Sequence, residues 1–343
     1  MSPEITITDT TRSGRITMVL ALCAVLALAC APLVATSAHL NLMVQIFAYL
    51  ALATLWNLLA GFSGLVSVGQ QAFVGIGGYA LFGLTIFADL HPLLALALAG
   101  IIGAVIALPV AGLLFRLRGA YFAIGSWVAA EVFRLLASQI SALGGGSGTS
   151  LPARIVTSMA SSRVWREYVI YWTGLAIAVV VIGLTIFLLR SRFGLALRAI
   201  HYNEGAARAS GVNVTRVKLI VFVLAGFGTA MVGALIFLQK LRISPDAAFS
   251  VNDWTAFVIF MAVIGGIGRI EGPIIGCLIF FVLRETLADM GALYLMMLGL
   301  VAIVIMLRAP RGIAGWLSEK LGFDLVPLSR RVVFAKSKGD SHV

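Results

Sequence analysis

Ten stretches of about twenty consecutive, mostly apolar residues recur along the chain, and no other feature limits the fold so tightly. They run near residues 16–35, 41–60, 72–88, 92–115, 119–140, 168–190, 217–238, 253–268, 272–290 and 293–308. A helix rises about 1.5 Å per residue, so each stretch matches a bilayer hydrocarbon core of roughly 30 Å. In lipid a spanning segment must satisfy its own backbone hydrogen bonds, which makes each stretch a helix. The sequence therefore predicts an all-α polytopic membrane protein with about ten transmembrane helices. Composition agrees: 61% of residues are hydrophobic and 11% are charged, against roughly 25% charged in a soluble domain. Gly265, Gly266, Gly268, Gly272 and Pro273 interrupt the last three stretches and blur their ends.

The first stretch follows Arg12 and Arg15, as a signal peptide would. Its length exceeds the roughly 7–15 residues of a signal h-region, so it reads as a retained anchor. With the N-terminus inside, the cytoplasmic segments carry 18 lysines and arginines, from Arg12 to Lys338, and the outer loops carry five: Arg154, Arg163, Arg166, Lys240 and Arg242. Setting aside the distant Arg330, Arg331, Lys336 and Lys338 leaves 14 against five. The positive-inside rule then places both termini in the cytoplasm. The chain divides into a cytoplasmic N-terminus (1–15), a transmembrane domain (16–308) with a cytoplasmic loop at 190–216, and a basic cytoplasmic tail (309–343). The net charge of +11 is thus a property of one membrane face. It suits anionic lipid headgroups rather than nucleic acid, which would need a compact basic domain.

Enzymatic and metal chemistry find little support. Cys23, Cys30 and Cys277 lie in apolar runs without a C-x-x-C pair, and His39, His91, His201 and His342 are scattered. No G-x-x-x-x-G-K-[ST] phosphate loop occurs, so the chain lacks that device for binding ATP.

Four segments hold more than a lipid-facing helix needs. Asn57 to Tyr79 reads NLLAGFSGLVSVGQQAFVGIGGY, with Ser67, Gly69, Gln70, Gln71, Gly75, Gly77 and Gly78 concentrated there. Two readings fit: a broken element beside a solute path, or a turn followed by a tightly packed helix. Glu131 and Arg134 share a helix face and can pair, either as a functional intramembrane pair or as a solvated pair near the outer end. Residues 190–218 are too polar to span and form a helical connector ended by Gly211 and Asn213. Gly268, Gly272 and Gly276 recur at four-residue spacing, the small-xxx-small pattern of close helix packing, with Pro273 in the first turn of the next helix.

These segments, in this order, resemble the permease subunits of ATP-binding-cassette importers for branched-chain amino acids, of the LivM type. The resemblance rests on NLLAGFSGLVSVGQQAFVGIGGY, LRGAYFAIGSWVAAEVFRLL, GGGSGTSLP, FGLALRAIHYNEGAARASGVNVTRVKLIVFVLAGFGTAMVGAL, GGIGRIEGP and RAPRGIAGW, between about residues 41 and 317. It implies a bacterial inner-membrane protein that works with a second permease chain of the LivH type, two cytoplasmic ATP-binding subunits and a periplasmic solute-binding protein. ATP would be used by those partners, with no cofactor bound by this chain. It makes 190–216 the coupling loop, in which Arg198, Glu204, Ala206, Ala207 and Gly211 meet the ATPase. Ala206, Ala207 and Gly211 fit the importer pattern E-A-A-x-x-x-G, but Gly205 stands at the glutamate position and Glu204 lies one before it.

The function expected is transport rather than catalysis. The alternative is a secondary transporter or channel driven by an ion gradient, for which Glu131, Glu285 and Asp289 are the candidate acids. The solute is open between branched-chain amino acids and other amino acids, urea, short amides or aromatic acids.

Overall fold

The computed structural model describes residues 5–8, 12–159, 162–287, 293–309, 311–321 and 331–334. The chain begins with strand β1 (Ile5–Thr8) and helices α1 (Arg12–Cys30), α2 (Ser37–Asn57), α3 (Gln70–Phe87), α4 (Pro92–Leu114) and α5 (Ala120–Ser138). Then come β2 (Thr149–Ser150), α6 (Ala153–Met159), α7 (Arg163–Arg190), α8 (Arg192–Tyr202), α9 (Glu204–Ala209) and α10 (Val214–Lys240). The remainder is β3 (Arg242–Ile243), α11 (Pro245–Ala248), α12 (Phe257–Gly265), α13 (Gly272–Leu287), α14 (Leu293–Arg308), α15 (Gly312–Leu321) and β4 (Arg331–Phe334). Antiparallel pairing of β1 with β4 brings the two ends of the chain together, and β2 pairs with β3.

Among the described residues, eight helical segments are long and apolar enough to cross a membrane. Two of the ten expected spans are helical but are not among these eight. The first, α1, spans Arg12–Cys30 and has its apolar stretch at Val19–Leu33, and α13 has 16 residues. The expected 272–290 stretch runs on into 288–290, outside the described residues. Helix bounds also move outward where capping side chains extend them. Ser162 Oγ accepts from the Trp165 amide and starts α7 five residues before the expected 168, while Asn213 Oδ1 accepts from the Arg216 amide and starts α10.

α10 packs against α2, α3 and α4. The contact with α3 is backbone on backbone: a β-carbon on Gly77 would lie 1.9 Å from the Ala230 carbonyl oxygen, and one on Gly233 would lie 2.2 Å from that of Val74. Lipid tails are as apolar as leucine, so helices in a bilayer gain by close van der Waals approach, which small residues permit. α2 lies on α7 through Phe47 and Tyr171, whose rings meet edge-on at 5.4 Å. The buried Tyr171 hydroxyl donates to the Leu28 carbonyl at 2.7 Å and fastens α1. Two threonine hydroxyls inside the bundle are satisfied within their own helices: Thr54 donates to Leu50 O at 2.7 Å and Thr185 to Val181 O at 2.8 Å.

A second apolar cluster gathers where α7 ends and α10 begins. It joins Leu58, Phe62, Phe73 and Phe222 of the bundle to Leu197, Ile200 and Ala207 of α8 and α9. α8 is amphipathic in the sense of a 3.6-residue period. Leu197 and Ile200 are buried, while Leu195 and Tyr202 on the other face are 68% and 88% exposed.

Candidate functional site

Two transmembrane elements break, and the breaks meet. α2 widens into a π-type turn at Leu58–Phe62, the chain leaves the helix, and α3 begins at Gln70. A second π-type turn at Asn252–Ala256 leads into α12, which stops at Gly265. Gly64 and Gly268 take φ of +71° and +75°, where a side chain would be strained. The Asn57 amide joins the two breaks: its Oδ1 accepts from the Gly268 amide at 2.8 Å, and its Nδ2 donates to the Arg269 carbonyl at 2.7 Å. A β-carbon on Gly61 would sit 2.5 Å from the Gly268 nitrogen, so glycine is required for this approach.

The first break is held on other sides as well. The Trp56 indole donates to the Ser67 carbonyl at 2.8 Å. The Val68 amide donates to Ser126 Oγ of α5 at 2.9 Å. Gln70 donates to the Leu52 carbonyl at 3.0 Å. The Gln71 amide donates to Thr255 Oγ1 at 3.3 Å, and the Thr255 hydroxyl donates back to Gln71 Oε1, which pins the second π-type turn to α3. Backbone polar groups freed from a helix inside a bilayer are tolerated only when buried in protein or lining a cavity, and these hydrogen bonds supply the burial. Two buried polar atoms have no partner among the described residues: Gln70 Oε1 and the Tyr79 hydroxyl.

Gly69, which caps α3, and Gly75 and Gly78 within it lie in close contact. A β-carbon on Gly69 would meet the Ser126 carbonyl at 2.1 Å, one on Gly75 the Phe249 ring at 2.3 Å, and one on Gly78 the Phe237 ring at 2.6 Å. Ser67 is buried, and its Oγ accepts from the Gly69 amide at 3.2 Å. Gly272 and Gly276 bring α13 onto α12, where added β-carbons would lie 2.2 Å from Gly266 O and 1.8 Å from Met261 O. Gly268 belongs instead to the Asn57 junction.

The loop from Arg190 to Arg216 folds into α8 and α9. Asn203 starts α9 by accepting from the Ala206 amide at 3.0 Å, and Gly211 follows its end with φ of +86°. Ala206 is exposed and Arg198 half-buried, whereas Ala207 is buried against the bundle. Ala207 therefore seats the loop and does not present a surface. Glu204 receives Lys218 Nζ at 2.7 Å and Arg208 Nη2 at 3.2 Å. Lys218 lies in the first turns of α10, so this pair ties α9 to that helix. The hydrogen bond from Lys218 holds the Glu204 carboxyl below the usual carboxylate range, against an opposing effect of burial, with Arg208 and Arg118 adding to it.

Glu131 and Arg134 do pair, at 2.6 Å, and Arg134 also reaches Asp246 of α11 at 2.8 Å. Asp246 is 82% exposed, so this cluster lies at the protein surface, toward the C-terminal end of α5. Glu285 is exposed, and Asp289 lies outside the described residues. Sequence reasoning passed over Asn57 and Thr255 as site residues. Asn57 was visible as a lone amide ending a long apolar run, but its partners were not.

Residues 38–307 match the family described as "Branched-chain amino acid transport system / permease component". The chain belongs to that family. It is similar to the LivM permease protein of a high-affinity branched-chain amino acid transport system in Salmonella typhimurium, at 28% identity over 82% of this chain and 71% of that one. The Escherichia coli protein of the same description is 28% identical over 77% and 67% of the two chains. The ribose import permease RbsC of Bacillus subtilis is 38% identical, over 32% of this chain and 34% of its own. No solved structure matches the chain significantly. As a family member the chain is a multi-pass membrane protein and one component of an ATP-binding-cassette transporter.

Proposed function

We propose that the chain is the transmembrane permease subunit of an importer for branched-chain or related amino acids in a bacterial inner membrane. It pairs with a second permease chain of the LivH type. Two cytoplasmic ATP-binding subunits drive it, and a periplasmic binding protein delivers the solute. The chain itself performs no covalent chemistry and binds no ATP.

The observation that carries this reading is the build of the 190–216 loop. It is a short two-helix element seated on the bundle by Leu197, Ile200 and Ala207 and tied to α10 through Glu204 and Lys218. Its opposite face offers Leu195, Tyr202 and Ala206 to solvent. An ATPase gripping that face would move the element as a unit. α10 has 27 residues, which at about 1.5 Å per residue carries the displacement roughly 40 Å to the other end of the bundle. The junction of the two breaks around Asn57 closes the inner mouth of the path, and its rupture opens it. A ligand-driven change of this sort requires that ATP bind the two states differently, which the separate subunits supply.

Selectivity lies mainly in the binding protein, so other amino acids, urea, short amides and aromatic acids stay within the solute class. The test is affinity purification of the tagged full chain from its own cell. Recovery of a second permease and an ATP-binding subunit supports the reading. A chain recovered alone that moves amino acid under a proton or sodium gradient refutes it.

A further inference from the structure

At the end of the bundle opposite α8 and α9, a pocket of about 450 Å³ opens between the start of α2, the end of α10, the second π-type turn and the last turns of α13. That volume falls within the range of roughly 300–1,000 Å³ typical of small-molecule sites. Its lining divides by chemistry. Lys240 and Arg284 bring two cations, Asp253 brings one carboxylate, Gln45 brings an amide, and Ala48 and Ile236 join Tyr49 and Trp254 in an apolar wall.

The charged groups are arranged but not consumed by one another. Among the described residues, none of the three forms an ion pair with another, although the charges of Asp253 and Arg284 both act on Lys240. Lys240 Nζ stands 4.9 Å over the Trp254 ring, which stacks on Tyr49 at 5.8 Å. Arg284 Nη1 donates to Gln45 Oε1 at 3.3 Å, which aims the guanidinium. The Asp253 amide donates to Ser250 Oγ at 3.3 Å, and its carboxylate accepts no hydrogen bond among the described residues. Lys240, Asp253 and Arg284 stand at or near the ends of their helical elements, and an ionisable residue in or beside a spanning segment is a candidate for function.

We propose that this pocket receives a zwitterionic amino acid with an apolar side chain. Arg284 takes the carboxylate in a charge-assisted hydrogen bond, with Lys240 adding positive charge. Asp253 takes the ammonium group. The side chain lies against Ile236 and Trp254. The inference rests on the importer reading for its substrate class, and it assigns that substrate a place on this chain. The pocket adjoins the moving parts, because Asp253 and Trp254 sit in the same π-type turn as Thr255, which is bonded to Gln71 of α3.

The experiment uses the complete transporter in detergent without its binding protein, and reads thermal stabilisation against L-leucine in the millimolar range. Two analogues separate the charges: leucinamide lacks the carboxylate and 4-methylpentanoate lacks the ammonium group. Leucine should stabilise the complex and both analogues should fail. Asp253→Asn and Arg284→Gln should each raise the half-saturating leucine concentration by about tenfold or more, the loss expected for a hydrogen bond to a charged group. Both variants should keep the unliganded melting temperature; if Arg284→Gln does not, Arg284→Lys and Asp253→Asn carry the test. Unchanged half-saturation in the variants overturns the proposal. So does protection by 4-methylpentanoate equal to that by leucine, which would make the pocket a plain anion site. Loss of binding-protein stimulation with the leucine response intact would make it a docking surface, and also overturns it. Leucine uptake by the wild-type transporter is measured alongside. Uptake without stabilisation refutes the pocket alone, whereas absence of ATP-driven amino-acid uptake refutes the importer reading.

Discussion

Asn57 and Arg269 lie 212 positions apart, yet Asn57 Nδ2 donates to the Arg269 carbonyl at 2.7 Å. The same amide accepts from Gly268, so one side chain satisfies a donor and an acceptor on the other broken element. Replacing Asn57 with Ala leaves both backbone groups unpaired in a buried junction. Each unpaired group costs about 1–3 kcal/mol. Asn57→Ala should lower the melting temperature of the detergent-solubilised chain clearly, and Asn57→Asp should not restore it, because the donor to Arg269 is gone. A melting temperature equal to wild type in Asn57→Ala would contradict the junction.

The α3–α10 contact makes a sharper prediction about size. Gly77→Ala places a methyl group 1.9 Å from the Ala230 carbonyl oxygen, and overpacking of this sort costs about 1–3 kcal/mol. Gly183 of α7 has nothing within 4 Å of an added β-carbon. Gly183→Ala should therefore melt at or slightly above wild type, since alanine favours helix over glycine. Equal behaviour of the two variants in a thermal melt would count against backbone contact as the basis of the bundle.

The Glu204 pair predicts a pH dependence with a definite sign. The folded carboxyl is held below its ordinary value, so its stabilisation is complete above the ordinary carboxylate range of about 4.3. It is lost as pH falls below that range, through the depressed value. Hydrogen exchange of the α9 backbone should stay slow from neutral pH down to that point and then rise beyond the intrinsic pH effect. Glu204→Gln should exchange faster already at neutral pH and lose the acid transition. A transition that persists in Glu204→Gln would assign it to another group.

The loop also predicts which of its residues bear on an ATPase. Tyr202 is 88% exposed and Ala207 is 3% exposed. Tyr202→Ala should leave the melting temperature near wild type while weakening recovery of the ATP-binding subunit by about tenfold or more, as for an aromatic anchor at an interface. Ala207→Asp should instead unfold the seat of α9, because it buries an unpaired carboxylate. If Tyr202→Ala co-purifies its ATPase normally, the docking face lies elsewhere.

Much of this architecture was legible from hydropathy and composition. The helices α2, α3, α4, α5, α7 and α10 follow from apolar run length, since a continuous apolar run of about twenty residues suits a spanning helix, whereas a spanning β-strand needs only about ten. The glycine-rich break before Gln70 was legible because its composition disfavours a continuous helix. Local pattern failed where the determinants are distant. Nothing near Asn57 announces Gly268 and Arg269, and nothing near Ala207 says that it faces inward while Ala206 faces out. The pocket of Lys240, Asp253 and Arg284 was hidden for the same reason. Its residues come from three separate elements, and each alone reads as an ordinary charge near the end of a span.

The proposed function requires that this chain move amino acids only when coupled to separate ATP-binding subunits. The most direct measurement is uptake of radiolabelled L-leucine into proteoliposomes holding the full transporter, with binding protein outside and ATP inside. Accumulation should require both ATP and the binding protein and should fall with Tyr202→Ala. Accumulation driven by an ion gradient, in liposomes holding this chain alone, would contradict it.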